Sequence, residues 1–283
     1  MTTTFNADSP GPASDRAHAS AIDVRALHVS FGGVRALTDV TTSVNAREIV
    51  AVVGPNGAGK TTLLNAVCGL IKKSSGVVHH FGKDVTSSTP TKIAQGGIGR
   101  SFQDPRLVDE ESVLQNILSG AHATIGYSLG DQVFRRGKVA RRERIAESQA
   151  RDLLDLVGLG DLADVHAAQL AYGPRKMVDI LRAAISRPNV LLLDEPSSGL
   201  DLAERATVEQ MLLELHREFD LPMLVVEHHL DLVRAVADKV LCLVSGTVAM
   251  QGPTVEILDS HQFRATITGE ESPQTPEVAT ADA

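Results

Sequence analysis

Gly54-Pro55-Asn56-Gly57-Ala58-Gly59-Lys60-Thr61 decides the fold of this 283-residue chain. The stretch satisfies G-x-x-x-x-G-K-[ST], the P-loop pattern. Its glycines let successive main-chain N–H groups curl around phosphate oxygens, where a Cβ would intrude. Lys60 offers a point charge for β- and γ-phosphates, and the Thr61 hydroxyl suits Mg²⁺. The β-branched run Ile49–Val53 precedes the loop, and Leu63, Leu64, Val67 and Leu70 recur after it at helical spacing. The loop therefore joins a strand to a helix, whose N-terminal end adds positive potential for an anion.

A second stretch completes the chemistry. Val190-Leu191-Leu192-Leu193-Asp194-Glu195 is an apolar strand ending in two carboxylates. From a neighbouring strand such an end reaches the phosphates held by the loop. Asp194 is then expected to hold Mg²⁺ through water, and Glu195 to orient and deprotonate the attacking water.

Outward from these two stretches, strands and helices alternate, the mark of an α/β fold. Residues 223–226 read as a further buried strand, Val208, Met211, Leu212 and Leu215 as a helix stripe, and 240–244 with 247–250 as a hairpin about Ser245-Gly246. Residues 22–42 and 76–85 hold strand-like segments broken by Gly-Gly and Gly-Lys turns. From about Asp104 to Ser186 the signals are helical. One stripe is Ala146, Ala150, Leu153, Leu154 and Val157, stopped by Gly158; another is Met177, Ile180, Leu181 and Ala184, stopped by Pro188. The division expected is an α/β core over 21–103 and 187–262, an inserted helical subdomain over 104–186, and disordered tails at 1–20 and 270–283. No internal repeat is evident.

Composition excludes several classes. No apolar run approaches the ~18–20 residues that cross a bilayer, and the first 20 residues lack the apolar core of a secretory signal. A cytosolic protein is expected, serving a membrane only through a partner. The net charge of −8 argues against a nucleic-acid partner. The basic stretch Arg135, Arg136, Lys138, Arg141, Arg142 and Arg144 reads as a solvated helix face, with anionic lipid headgroups as the other reading. Cys68 and Cys242 lie in apolar patterns and read as reduced core residues. His79-His80 lacks a third ligand nearby and reads as strand surface.

The residues between the two chemical stretches are more specific. Leu170-Ala171-Tyr172-Gly173-Pro174-Arg175-Lys176 opens a helix, and here the chain resembles the ABC ATPase family, whose signature loop is usually Leu-Ser-Gly-Gly-Gln. Further matches follow in order. Gln103, in Arg100-Ser101-Phe102-Gln103, resembles the Q-loop glutamine; Ser198-Gly199-Leu200-Asp201 resembles the D-loop; His228, directly after Glu227, resembles the switch histidine, with His229 a close competitor. Phe31 lies where the family places an aromatic ring against adenine. The resemblance spans roughly residues 22–258. It implies a P-loop NTPase (RecA-like) core with an antiparallel β subdomain and an inserted α-helical subdomain. It implies ATP and Mg²⁺ as cofactors, held by residues 54–61 together with Thr62 and Gln103, with Thr61, Gln103 and Asp194 on the metal. By the same resemblance Lys60, Gln103, Glu195 and His228 are expected to carry catalysis, Gln103 also to sense Mg²⁺ and couple hydrolysis to transport, and Leu170–Pro174 to act on the ATP of an opposite subunit.

Within the family, Phe31-Gly32-Gly33, Tyr172-Gly173 and Glu227-His228-His229-Leu230-Asp231-Leu232-Val233 resemble the branched-chain amino-acid importer group, which also serves other hydrophobic amino acids, amides and urea. The implied partners are membrane permease subunits, a second ATPase subunit and, indirectly, a solute-binding protein. The implied place is the cytoplasmic face of the membrane. Two departures matter. Ala171 stands where Ser is common, and Pro174 where Gln is usual; proline suits a first helical turn but removes an amide. One reading is a heterodimer in which the partner's ATP, facing Ala171, turns over slowly; the other is that this importer group tolerates Ala, with two equal sites in a homo- or heterodimer. Two other readings remain. One is the ATPase of a lipopolysaccharide exporter. The other is a non-transport ABC ATPase of DNA repair or ribosomes, disfavoured by the single P-loop and the lack of sustained heptads.

Overall fold

A computed structural model of the chain describes residues 20–125 and 136–268. The expected tails, apart from Ser20, and Arg135 of the basic stretch lie outside the described residues; Arg136, Lys138, Arg141, Arg142 and Arg144 fall on one helix.

The architecture rests on two sheets. Strands β1 (Ser20–Phe31), β2 (Val34–Asn45), β4 (Ser75–His80) and β5 (Lys83–Asp84) form an antiparallel sheet in the order β2-β1-β4-β5. Strands β3 (Ile49–Val53), β6 (Ile98–Arg100), β7 (Val190–Asp194), β8 (Met223–Val226), β9 (Lys239–Val244) and β10 (Thr247–Pro253) form the second, in the order β10-β9-β3-β8-β7-β6. All its pairs are parallel except β9 with β10, the hairpin about Ser245-Gly246.

The near-continuous apolar runs of β3, β7 and β8 follow from burial on both faces, since alternate side chains point to opposite sides. Val50, Val52, Leu192, Leu224 and Val226 pack toward the antiparallel sheet and helix α1 (Lys60–Val67). Leu191, Leu193, Met223 and Val225 pack on the other side, against α3 (Val113–Ile125), α5 (Tyr172–Ala184) and α6 (Leu202–Phe219). The helical stretch, which also holds α2 (Pro90–Gln95) before it and α4 (Arg136–Leu156) within it, thus has no core apart from the sheet: Ile117, Leu154, Ile180 and Leu191 belong to one apolar cluster. Beyond β8 come α7 (Leu230–Val236), α8 (Thr254–Asp259) and α9 (His261–Thr268). No helix among the described residues is long and apolar enough to cross a membrane.

Two local expectations need correction. Leu70 does not extend the stripe of α1: the helix ends at Val67, Gly69 turns the chain at φ +69°, and Leu70 is exposed. His80 is not strand surface. It is buried, and burial pushes its imidazole down to about 4, with Lys73 adding to the effect.

Candidate functional site

Strands β3, β8 and β7 lie side by side and end level with one another. Val226 of β8 pairs with both Val52 of β3 and Asp194 of β7. The loops that leave these three ends therefore meet, and they hold the P-loop, Glu195 and the Glu227-His228 pair. Sheet order brings together residues more than 130 positions apart.

The P-loop is tightly seated. Gly54 has φ +147°, and a Cβ there would collide with the main-chain carbonyl of Leu243 on β9. Gly59 has φ +99°, and its Cβ would lie 2.7 Å from the Ala36 carbonyl. Both positions require glycine for conformation and for space. Pro55, Asn56 and Gly57 are exposed at the outer turn, whereas Ala58 is buried. The buried Lys60 ammonium donates to the carbonyls of Gly54 at 2.8 Å and Pro55 at 3.1 Å, fastening the loop onto the helix that follows. Burial lowers its pKa, while Glu195 and Asp194 pull the other way.

Thr61 and Thr62 open the helix on the solvent side, and Thr61 Oγ1 donates to Asp194 Oδ1 at 3.2 Å. Asp194 Oδ2 faces Arg100 Nη2 at 3.4 Å. Burial raises the Asp194 pKa, and the Arg100 guanidinium and the Thr61 hydroxyl oppose that rise. A hydroxyl and a carboxylate at one point are the oxygen donors that a hard divalent cation takes, so the pair fits Mg²⁺. Glu195 follows in the left-handed region at φ +52°, and its Oε2 accepts from Gln103 Nε2 at 3.2 Å. Gln103, expected from sequence near the metal, thus stands beside the Glu195 carboxylate.

The two histidines take different environments. His229 is turned inward, with Nδ1 2.8 Å from Ser197 Oγ and 3.1 Å from Glu227 Oε1. His228 is the more exposed, its Nδ1 3.5 Å from Glu227 Oε1, and its main-chain N–H donates to the same oxygen at 2.7 Å. The fully buried Glu227 carboxylate also accepts from Ser197 Oγ at 2.7 Å, tying the end of β8 to the turn after β7. Phe31 ends β1, pairs with Val34 across the Gly32-Gly33 turn and is 49% exposed, an aromatic face that no core claims.

The signature residues sit elsewhere, at the start of α5. Ala171 is its N-cap and makes no side-chain capping bond; Tyr172 is exposed and Gly173 buried beside the Glu204 side chain. Leu170 is half-buried, as is Pro174 in the first turn. The D-loop lies against them: Tyr172 packs next to Gly199, whose φ is +78°, Ser198 and Leu200 continue the turn, and Asp201 caps α6 in a reciprocal capping box with Glu204. A cavity of about 510 Å³ at the opposite ends of the strands, lined by Arg47, Arg187, Phe219 and Asp220, touches none of these residues.

Three residues that sequence reasoning passed over belong to this site: Arg100, Glu227 and Lys176. Each is a buried charge. Charged residues in otherwise apolar elements were the available signal, although their partners depend on sheet order.

The chain is similar to known proteins. The ABC transporter family matches residues 37–198. The chain is 30% identical over 249 residues to a high-affinity branched-chain amino acid transport ATP-binding protein, BraF, of Pseudomonas aeruginosa, covering 88% of this chain and 98% of that one. It is 30% identical, with the same coverage, to the corresponding protein LivG of Escherichia coli. Among solved structures, the ADP conformation of an ATP-binding cassette of an ABC transporter superposes with TM-score 0.75 at 27% identity, covering 89% of this chain and 99% of that one. A nucleotide-free cassette superposes with TM-score 0.72 at 26% identity, covering 93% and 100%.

Proposed function

The chain belongs to the ABC transporter family as an ATP-binding, ATP-hydrolysing subunit, and from that premise we propose that it powers an importer of branched-chain or related hydrophobic amino acids, amides or urea. The observation that carries the hydrolytic part is the meeting of three strand ends, which sets Lys60, the Thr61–Asp194 pair and the Glu195–Gln103 pair around one point. The importer part rests on similarity to BraF and LivG, whose names state branched-chain amino acid transport.

In this reading Phe31 lies under the adenine, residues 54–62 hold the phosphates, and Lys60 leaves its two carbonyls to meet the β- and γ-oxygens. Thr61 and Asp194, with Gln103 nearby, would hold Mg²⁺, which when bound neutralises phosphate charge. Glu195 takes a proton from water as the water oxygen attacks the γ-phosphorus, and the β–γ bridging oxygen leaves with ADP. His228, whose ring is the more exposed of the two, is the histidine available to the γ-phosphate. Residues 170–174 face the nucleotide of a second ATPase subunit, so two such subunits enclose two ATP molecules on the cytoplasmic face of the membrane, bound to permease subunits and served by a solute-binding protein.

Ala171 and Pro174 support a heterodimer. Ala171 brings no hydroxyl, and Pro174 brings neither an amide side chain nor an N–H. The partner's ATP would meet only the N-terminus of α5.

The test is reconstitution of the full chain with a second ATPase subunit, permease subunits and a solute-binding protein of the branched-chain amino acid class. Leucine, isoleucine or valine should stimulate ATP hydrolysis and enter vesicles. A complex that ignores hydrophobic amino acids, amides and urea, or that extrudes lipid-linked saccharide instead, would refute the importer reading while leaving the ATPase intact.

A further inference from the structure

We propose that Lys176 is a positioning residue for Glu195, and that through it the signature helix sets the hydrolytic carboxylate of its own chain. The proposal rests on the reading of Glu195 as the base.

Lys176 lies in the second turn of α5, five residues after Ala171, and is only 3% exposed. Its ammonium forms no ion pair among the described residues. It donates instead to the main-chain carbonyl of Glu195 at 2.6 Å. The Tyr172 ring stands 5.7 Å from it, and the carboxylates of Glu227, Glu195, Asp104 and Asp179 surround it at longer range, opposing the fall in pKa that burial imposes. A buried ammonium without an ion partner is a net cost to folding, and an apolar side chain would fill the space more favourably. What the charge supplies is a directed hold on one peptide group.

That peptide is the one that aims Glu195. The residue is held in the left-handed region, which a non-glycine residue occupies when its surroundings impose it. The same carbonyl accepts from Ser198 N–H at 3.2 Å, closing the turn that leads to the D-loop. Rotation of the peptide would swing the Glu195 carboxylate away from Gln103. A second buried charge on α5 grips the other side of that contact: Asp179 Oδ2, three residues on from Lys176, accepts from Phe102 N–H at 3.1 Å, next to Gln103. Lys176 and Asp179 share a helix face. One rigid helix thus holds the main chain beside both members of the Glu195–Gln103 pair. Its first turn is the segment expected to meet the opposite subunit's nucleotide. A displacement of α5 on engaging that nucleotide reaches the Glu195 peptide directly.

The experiment compares Lys176→Met and Lys176→Arg with the parent chain in the assembled transporter. Lys176→Met should lower kcat roughly tenfold to hundredfold, the span of one charge-assisted hydrogen bond. KM for ATP and the affinity for a fluorescent ATP analogue should stay within about twofold, since ground-state binding does not use Lys176. Lys176→Arg, which restores a donor cation, should recover most of the rate. Thermal unfolding of Lys176→Met should not fall below that of the parent, because a buried charge has been removed. A parental kcat in Lys176→Met would overturn the proposal. So would a loss shared equally by kcat, ATP affinity and thermal stability in both variants, which marks a structural lysine. Near-normal hydrolysis in Glu195→Gln would overturn the base itself, and the Lys176 proposal with it; a silent Lys176→Met beside an inactive Glu195→Gln removes only the latter proposal.

Discussion

The P-loop and the signature loop both present main-chain N–H groups at the N-terminus of a helix, yet the chain builds them differently. The P-loop is finished within the chain. Gly54 and Gly59 are wedged against the main chain of β9 and β2, Lys60 is tied to two carbonyls, and Thr61 reaches Asp194 across the sheet. The signature loop is left open. Ala171 caps nothing, Tyr172 is exposed, and the neighbour that crowds Gly173 is the Glu204 side chain of the capping box rather than a main chain. A site that must bind a small anion unaided is rigid and complete, whereas a surface that engages an anion held by another subunit keeps its helix end free. Lys176 lies where the two meet, on the signature helix and against Glu195.

The sharpest way to break this contrast is to remove Glu195, the proposed base of the first region. Glu195→Gln should keep ATP binding and lower kcat by ~10²–10⁴-fold, about 3–5 kcal/mol of barrier. An ATP-bound dimer should accumulate, visible by size-exclusion chromatography with light scattering. Turnover near the parental rate would show that the two carboxylates after β7 do not divide the work as described.

Next in size is Lys60→Ala. Losing a charged partner of phosphate should weaken nucleotide binding by about 1.5–3 kcal/mol, roughly tenfold to a hundredfold in Kd by calorimetry. In the assembled complex the heterodimer proposal, in which the partner's ATP faces Ala171, requires its cost to total ATPase activity to exceed that of the equivalent change in the partner subunit. Equal losses would dissolve the asymmetry.

Stability offers a direct comparison of the two loops. Gly54→Ala places a Cβ against a fixed carbonyl at φ +147° and should cost about 1–3 kcal/mol in chemical denaturation. Gly173→Ala meets only the Glu204 side chain, which moves at the expense of its one capping bond from Asp201 N–H, and should cost about 1 kcal/mol. Matching losses would mean the signature loop is as tightly seated as the P-loop.

The smallest expected effect is a gain. Ala171→Ser returns a hydroxyl to the open region and should raise turnover at the partner's site about threefold to tenfold, less than the full worth of one hydrogen bond to phosphate. Single-turnover hydrolysis in a complex whose own P-loop carries Lys60→Ala would read it. No change would place the slow step outside the signature loop.

Local chemistry was legible in the chain as written. Glycines flanked by a β-branched run and a helical stripe can do little else than cradle an anion, and an apolar strand ending in Asp194-Glu195 marks the other half of the site. The helical insertion and the β9–β10 hairpin also followed from periodicity, since the burial of alternate or every third to fourth residue is a local demand. Leu70 and His80 resisted that reading for opposite reasons: one completes a stripe beyond the point where Gly69 turns the chain, the other is polar but enclosed by neighbours distant in sequence. Only the tertiary structure decided that β8 stands between β3 and β7, because strand order is set by long-range packing rather than by neighbouring residues. From that order came the union of Thr61 with Asp194, the contact of the His229 ring with Ser197 and Glu227, and the grip of Lys176 on the Glu195 carbonyl. A sequence shows which residues can carry charge and phosphate; it cannot show which buried charge finds which carbonyl, because that depends on where two helices and three strand ends come to rest.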